Sequence, residues 1–483
     1  MKHLILVLSI CSTMIAAAQS GITWGASTSI ATSTYSNMHP RITLDASGSP
    51  MVIWGRMNDE SVFFSRWNGT AFATPVKLNP AGMTVATASW MGPDIASKGD
   101  TVYVVVRQTP ESMDTSKHIF ILSSFNGGTS FSAPVRVDHI GDSVTRFPAV
   151  TIDGSGNPIV AFMKFDNMFM NSRWAVTKSA DLGATFGTDT KASGWSGPTS
   201  SVCDCCPGTV ISAGNTCAML YRDNLSNLRE IWAGISTNNA SSFSSGFTAD
   251  TTNFMINSCP ASGPDGVVIG DTVYSVFFGA ASGADRTYLS KSSLSTGAVQ
   301  SVTRLKGEFS GLSQQNYPRI ATDGRAMAIV WKQTASGNAQ MPILFTNNIA
   351  DTLSYGILAP GNVSNGDVAI LNGKVYAVWQ DDNSGTVKIA TGTYTPYVDH
   401  TGISDIRDNA LVIYPNPTSG ILNIHTPIQG ECLFSIFNAL GEKLYSAPFV
   451  SDAHIETSAF AVGIYAVRLT ASQKTFVSKF TKE

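Results

Sequence analysis

The residues best suited to chemistry lie in one stretch of the chain. Ser201-Val202-Cys203-Asp204-Cys205-Cys206-Pro207 is followed by Tyr221-Arg222-Asp223-Asn224, by Arg229-Glu230, and then by Asn257-Ser258-Cys259-Pro260. Cys203, Cys205, Cys206 and Cys259 form an even set, whereas Cys217 in CAMLY and Cys432 in CLFSIF read as small buried hydrophobes. In an oxidising compartment four such cysteines default to two disulfides. Reduced, the same thiolates suit copper or zinc, although the C-x-C-C spacing is unlike a paired C-x-x-C site and no histidine adjoins it. A strained vicinal bridge between Cys205 and Cys206 is the third arrangement. Asp204, Arg222, Asp223, Arg229 and Glu230 accompany the cysteines. Such a constellation on a stiffened rim is what a ligand site needs, because rigid support lowers the ordering cost. It is equally what a buried salt-bridge network needs.

The elements that must position these residues repeat along the chain. HPRITLDASGSPMVIWGR from His39, GPDIASKGDTVYVVVRQ from Gly92 and FPAVTIDGSGNPIVAFMK from Phe147 share one pattern, which returns from Cys206, Gly263, Tyr317 and Gly366. Each copy has a Pro or its equivalent, a β-branched pair, a turn and an apolar strand, then a third strand and a fourth short one. Four antiparallel strands in each repeat make one propeller blade, and a lone blade cannot bury both faces. The seven copies predict an all-β, seven-bladed β-propeller, with six blades as the alternative. The opening ITWGASTSIATSTYS reads as a fourth strand without its first three, able to complete the last blade and close the ring. Pro207 and Pro264 begin adjacent blades, so both cysteine clusters belong at the same end of the ring. Trp54, Trp331 and Trp379 end second strands and read as core or channel lining rather than as a sugar platform.

Two turns are more specific. Ser179-Ala180-Asp181-Leu182-Gly183-Ala184-Thr185-Phe186 fits S-x-D-x-G-x-T-F, and Ser124-Phe125-Asn126-Gly127-Gly128-Thr129-Ser130-Phe131 is a variant with Asn. The side chain accepts turn N–H groups, glycine supplies a positive φ, and the aromatic packs beneath. On Ser179, Asp181, Gly183, Thr185 and Phe186 the chain resembles the sialidase-like, Asp-box propeller superfamily, which includes exo-sialidases and many binding members. The CDCC segment and the later CP-x-x-GP resemble a group of secreted bacterial propellers often labelled sialidase-like. The resemblance implies an arginine triad gripping a carboxylate, a Tyr nucleophile with a Glu, and an Asp acid/base at one mouth. Arg41, Arg222 and Arg319 are the arginine candidates, with Tyr221 or Tyr317 nearby. The fit is incomplete, since the order here is Pro40-Arg41-Ile42 and Pro318-Arg319-Ile320 rather than Arg-Ile-Pro, and no Glu pairs with either Tyr.

The rest of the chain gives an address. Residues 1–18 have a basic start, an apolar run and Ala16-Ala17-Ala18, which read as a secretory signal peptide; no later segment reads as a membrane span. After the propeller, 19–398, a linker over 399–410 leads to residues 411–483. Tyr414-Pro415-Asn416-Pro417, the turn ending at Gly420, Asn438-Ala439-Leu440-Gly441 and Gly463-Ile464-Tyr465 resemble the C-terminal sorting domain of Bacteroidetes type IX secretion. That resemblance implies a small β-sandwich, recognition by the type IX secretion machinery, and a product that is secreted or held on the outer cell surface. Only 13% of residues are charged and the net charge is −3, so no basic field draws nucleic acid. Two functions stay open, a propeller binding a glycan or surface protein and a sialidase-type glycoside hydrolase. A thiolate metal protein is a weaker third.

Overall fold

The computed structural model describes residues 21–31, 36–110, 114–398, 411–426, 430, 432–471 and 474–483. The predicted signal peptide and linker lie outside these. The chain divides into two compact units at Tyr397/Val398. Among the described residues no helix is long and apolar enough to cross a membrane.

Among the described residues the first unit is built of seven antiparallel sheets, each of four or five strands. The first sheet shows the plan: an inner strand Asn37–Leu44, then Pro50–Arg56, Ser61–Arg66 and a two-residue outer strand Val76–Lys77. Inner strands Asp94–Lys98, Val144–Ile152, Thr209–Ala213, Asp265–Ile269, Leu312–Thr322 and Val363–Leu371 begin blades two to seven. Each inner strand lies against the next, and the seventh lies against the first. Second strands such as Pro50–Arg56, Thr101–Arg107 and Pro158–Phe165 are buried along nearly their whole length, because each sheet is covered on both faces by neighbours. Trp54, Trp331 and Trp379 are buried in these interfaces.

Thr23 and Trp24 pair with Thr393 and Gly392, so the N-terminal strand forms the outer edge of the last blade and ties the two ends of the unit together. The zip removes an edge that would otherwise be open to another chain. Between blades four and five the approach is close. A Cβ on Gly263 would sit 1.6 Å from the carbonyl oxygen of Pro207, so no side chain fits there.

Four inner strands carry a bulge at the same place, between Met38 and Arg41, Arg146 and Ala149, Asn316 and Arg319, and Ser364 and Asp367. The extra residue adopts positive φ in each: His39 (56°), Phe147 (50°), Tyr317 (53°) and Asn365 (47°). None is glycine, and the left-handed region costs such residues of order 1–3 kcal/mol. The bulge re-aims one side chain per strand.

The second unit is a sandwich of two sheets. One holds Val412–Tyr414, Ile421–His425 and Asp452–Glu456; the other holds Lys443–Phe449, Cys432–Phe437, Gly463–Ala471 and Lys474–Lys482. Leu422, Ile424, Phe434 and Ile436 face inward together with Cys432, Val467 and Leu469.

Candidate functional site

The four bulged residues meet at one opening of the propeller. His39, Phe147, Tyr317 and Asn365 line a cavity of about 740 Å³, counting the part open to solvent, together with Trp90, Arg41, Arg319 and the prolines that start several inner strands. Its wall is thus a ring of strand starts, one contribution from each blade. Of the bulged four only Tyr317 stood out in the sequence. The signal for the others was the position just before the Pro or Gly that opens each repeat.

Charges around the cavity pair with one another and with the backbone. The position after that Pro or Gly is Asp in three blades, and each Asp accepts an N–H from the next blade: Asp94 from Val150 at 2.9 Å, Asp265 from Ile320 at 2.9 Å and Asp367 from Ile42 at 3.0 Å. Arg319 Nε lies 3.1 Å from Asp367 and 3.4 Å from Asp265, clamping blades five, six and seven. Burial works to lower the Arg319 pKa, but Asp265, Asp367 and Asp94 outweigh it and hold the guanidinium charged. Burial pushes the Asp94 and Asp265 carboxyls up against the pull of Arg319. Arg41 donates to the Pro40 carbonyl at 2.8 Å, and burial and then Arg319 lower it to about 10. His39 is held neutral by burial and by Arg41.

The cysteine rim adjoins this opening through Pro207 and Ala261, which line it. Cys205 and Cys259 form a disulfide with Cα atoms 6.1 Å apart, so the two clusters do share one end of the ring. Cys203 and Cys206 are free thiols, both buried; the default of two disulfides is therefore not what the fold holds, nor is a vicinal Cys205–Cys206 bridge. The backbone turn from Cys203 to Cys206 is closed by the Cys206 N–H on the Cys203 carbonyl at 3.2 Å. It brings the sulfurs of Cys203, Cys205 and Cys206 within 4.8 Å of one another. With Cys205 in a disulfide this set offers two thiols, fewer than the four ligands of a structural zinc site. The Cys206 hydrogen bond, and then Arg222 and Arg229, bring the Cys203 thiol down to about 7 against burial, while burial pushes Cys206 up. Cys217 and Cys432 are buried among apolar neighbours.

The arginine triad does not assemble. Arg222 is fully buried, and its guanidinium donates to the carbonyls of Ser262 (3.1 Å), Arg229 (2.6 Å) and Phe278 (2.6 Å). It fastens blade four to blade five and is not among the residues lining the opening. Arg107, at the matching strand end of blade two, donates to Thr145 of blade three in the same way. Tyr221 is also buried, its hydroxyl accepting the Gly194 N–H at 3.2 Å. The expected ligand group is dispersed as well. Asp223 is buried against Ser196, with its carboxyl raised to about 6 by burial. Arg229 Nη1 donates to Cys203 Sγ at 3.1 Å. Glu230 is half-buried, its carboxyl raised by burial and by Asp250. Asp204 is exposed and offers its carbonyl to Arg146 at 2.8 Å.

The turn residues are folding hardware. Ser179 Oγ accepts the Gly183 N–H at 2.8 Å, and Asp181 accepts from Thr185 N–H and hydroxyl at 2.8 and 2.6 Å. Gly183 has φ 89°, and Phe186 packs against a neighbouring core cluster. Ser124–Asn126 and Ser236–Asn238 build the same geometry. The Ser236 copy went unread in the sequence because Ala240 stands where glycine was expected. In the second unit Asn416 accepts the Thr481 N–H at 2.9 Å and donates to Lys479, tying the Tyr414–Pro417 segment to the last strand. Gly441, at φ 80°, closes the Asn438 turn. Tyr414 is exposed, and a Cβ added at Gly420 or Gly463 would meet nothing within 4 Å.

The second unit has a match among known families. Residues 412–483 match the family described as secretion system C-terminal sorting domain, the tail that marks type IX cargo for secretion or surface export. No curated protein matches the chain in sequence. Among solved structures, a protein of unknown function from Dyadobacter fermentans is 9% identical, covers 78% of this chain and all of its own, and has a TM-score of 0.47. An alpha-L-arabinofuranosidase of Fusarium graminearum is 12% identical, with 70% of this chain and 98% of that one covered and a TM-score of 0.45. A sialidase of Streptococcus pneumoniae is 11% identical, with 77% and 70% covered and a TM-score of 0.40.

Proposed function

We propose that the exported propeller is a binding module whose mouth holds a neutral glycan or a peptide segment. One observation carries this reading: four bulged strands hold His39, Phe147, Tyr317 and Asn365 at positive φ, all lining one cavity. Strained backbone of this kind clusters where a ligand is gripped. Aromatic faces with a few amides and hydroxyls suit a sugar ring or an extended peptide. The charge pattern disfavours an anionic sugar. Arg319 already faces two carboxylates and Arg222 three carbonyls, which leaves Arg41 as the one guanidinium of the expected triad open to a ligand.

Hydrolysis needs a carboxylic acid placed to protonate a leaving group and a second carboxylate or its equivalent across the bond. Asp94, Asp265 and Asp367 each accept an inter-blade N–H, a duty that accounts for their shared position without catalysis. The test is binding of the full-length chain to a panel of neutral and sialylated oligosaccharides and to surface-protein peptides, beside Tyr317→Ala and Trp90→Ala. Affinity for a neutral glycan or a peptide, weakened about tenfold in both variants, is the expected result. Release of sialic acid from a fluorogenic sialoside, lost in Arg319→Ala, would overturn it in favour of a hydrolase.

A further inference from the structure

The free thiols Cys203 and Cys206 are not among the residues lining the mouth, and they lie beside the Cys205–Cys259 disulfide. Cys203 Sγ lies 3.6 Å from Cys205 Sγ, in contact with the disulfide. The Arg229 guanidinium also touches it, its Nη1 donating to the sulfur at 3.1 Å. A cation so placed favours thiolate over thiol. The position of Arg229 is itself fixed, because its N–H donates to the Phe254 carbonyl at 2.7 Å and its carbonyl accepts from Arg222 at 2.6 Å. Cys206 is buried close by, its sulfur within 4.8 Å of the Cys203 sulfur, and burial pushes its thiol up. At the far end of the disulfide, Cys259 is exposed to solvent.

We propose that these four cysteines form a thiol–disulfide exchange centre, with Cys203 as the buried nucleophile, Cys205 as the sulfur it attacks and Cys259 as the exposed leaving sulfur. The Cys203 proton passes to water. The thiolate attacks Cys205 Sγ, the Cys203–Cys205 bond forms, the Cys205–Cys259 bond breaks, and the electron pair leaves with Cys259. The step is redox-neutral and consumes no oxidant. The freed Cys259 thiolate then attacks an external disulfide, of a small molecule or a peptide, joining one half as a mixed disulfide and releasing the other as a thiolate. Exposure limits such partners to Cys259, and burial shields Cys203 and Cys206 from them.

The centre can be read by trapping. The full-length chain, purified without reductant, is held natively with N-ethylmaleimide, digested without reduction and mapped by mass spectrometry. The expected product has alkylated Cys259 and a Cys203–Cys205 link. In Cys203→Ser, labelling of Cys259 is expected to slow by about tenfold or more. Arg229→Gln keeps all four cysteines and is expected to slow it about threefold while giving the same product, which keeps the test decisive if Cys203→Ser does not fold. An intact Cys205–Cys259 bond with label only on Cys203 or Cys206, or with no label, would overturn the proposal. So would Arg229→Gln reacting at the parent rate, or a purified chain holding copper or zinc on four reduced cysteines.

Discussion

The mouth and the cysteine rim lie side by side and differ in how their buried carboxylates are met. At the mouth each buried carboxylate meets a backbone N–H of the next blade, and Arg319 bridges two of them. At the rim, Asp223 Oδ1, Arg229 Nε and Ser262 Oγ are buried with no hydrogen-bond partner among the described residues. Unsatisfied buried groups cost of order 1–3 kcal/mol each. The first region therefore holds the ring together and can present a fixed surface. The second keeps unmet polar groups beside the buried Cys203 sulfur, as strained or functional sites do.

The sharpest way to break the contrast is Arg319→Ala, which leaves Asp265 and Asp367 buried with their backbone N–H partners but without the guanidinium. A loss of about 3 kcal/mol in denaturant unfolding is expected, since removing one partner of a buried pair costs more than the pair itself contributes. An unchanged midpoint would show that the mouth charges are no more interlocked than those of the rim.

At the rim the sign reverses. Burial raises the Asp223 carboxyl to about 6 from the ordinary 3.8, so folding favours its protonated form. Its contribution is most favourable below the unfolded value and is lost as pH rises through about 6. Asp223→Asn, which can still accept from Ser196, is expected to stabilise the chain by about 2 kcal/mol at pH 7 and by little at pH 4. Equal effects at both pH values would mean that Asp223 carries no burial penalty.

The smallest effect belongs to the outer turn of blade three. Ser179 and Thr185 hold the Asp181 carboxyl at about 2. The depressed value means that the turn gains from the ionised form above 3.8 and loses that gain as pH falls towards 2. Protection of the Thr185 amide from hydrogen exchange should fall over that window, and Asp181→Ala should remove the dependence.

Much of the architecture was legible because it rests on short-range rules. Repeating strand-turn-strand patterns, the lone opening strand and the alternation of Leu422, Ile424, Phe434 and Ile436 each follow from period-two burial. The site was less legible. Arg222 and Arg319 have similar contexts, each within an inner or second strand of a blade, yet one faces the next blade and the other faces the axis. That choice depends on which residues of another blade stand opposite, and no local spacing encodes it.

The cysteines divide in the same way. Adjacent repeats fixed that Cys205 and Cys259 come to one end of the propeller, because Pro207 and Pro264 open neighbouring inner strands. Four cysteines still allow three pairings, and only the path of the two loops selected Cys205 with Cys259 and left Cys203 against Arg229. By itself the sequence determined the blades, the closing strand and the sorting tail, since each is announced by its own local pattern of residues. The tertiary structure decided which arginines act as staples, which side chains the bulges aim at the mouth and which sulfurs meet. Each of those outcomes is a contact between blades, set by packing distances that no single repeat contains.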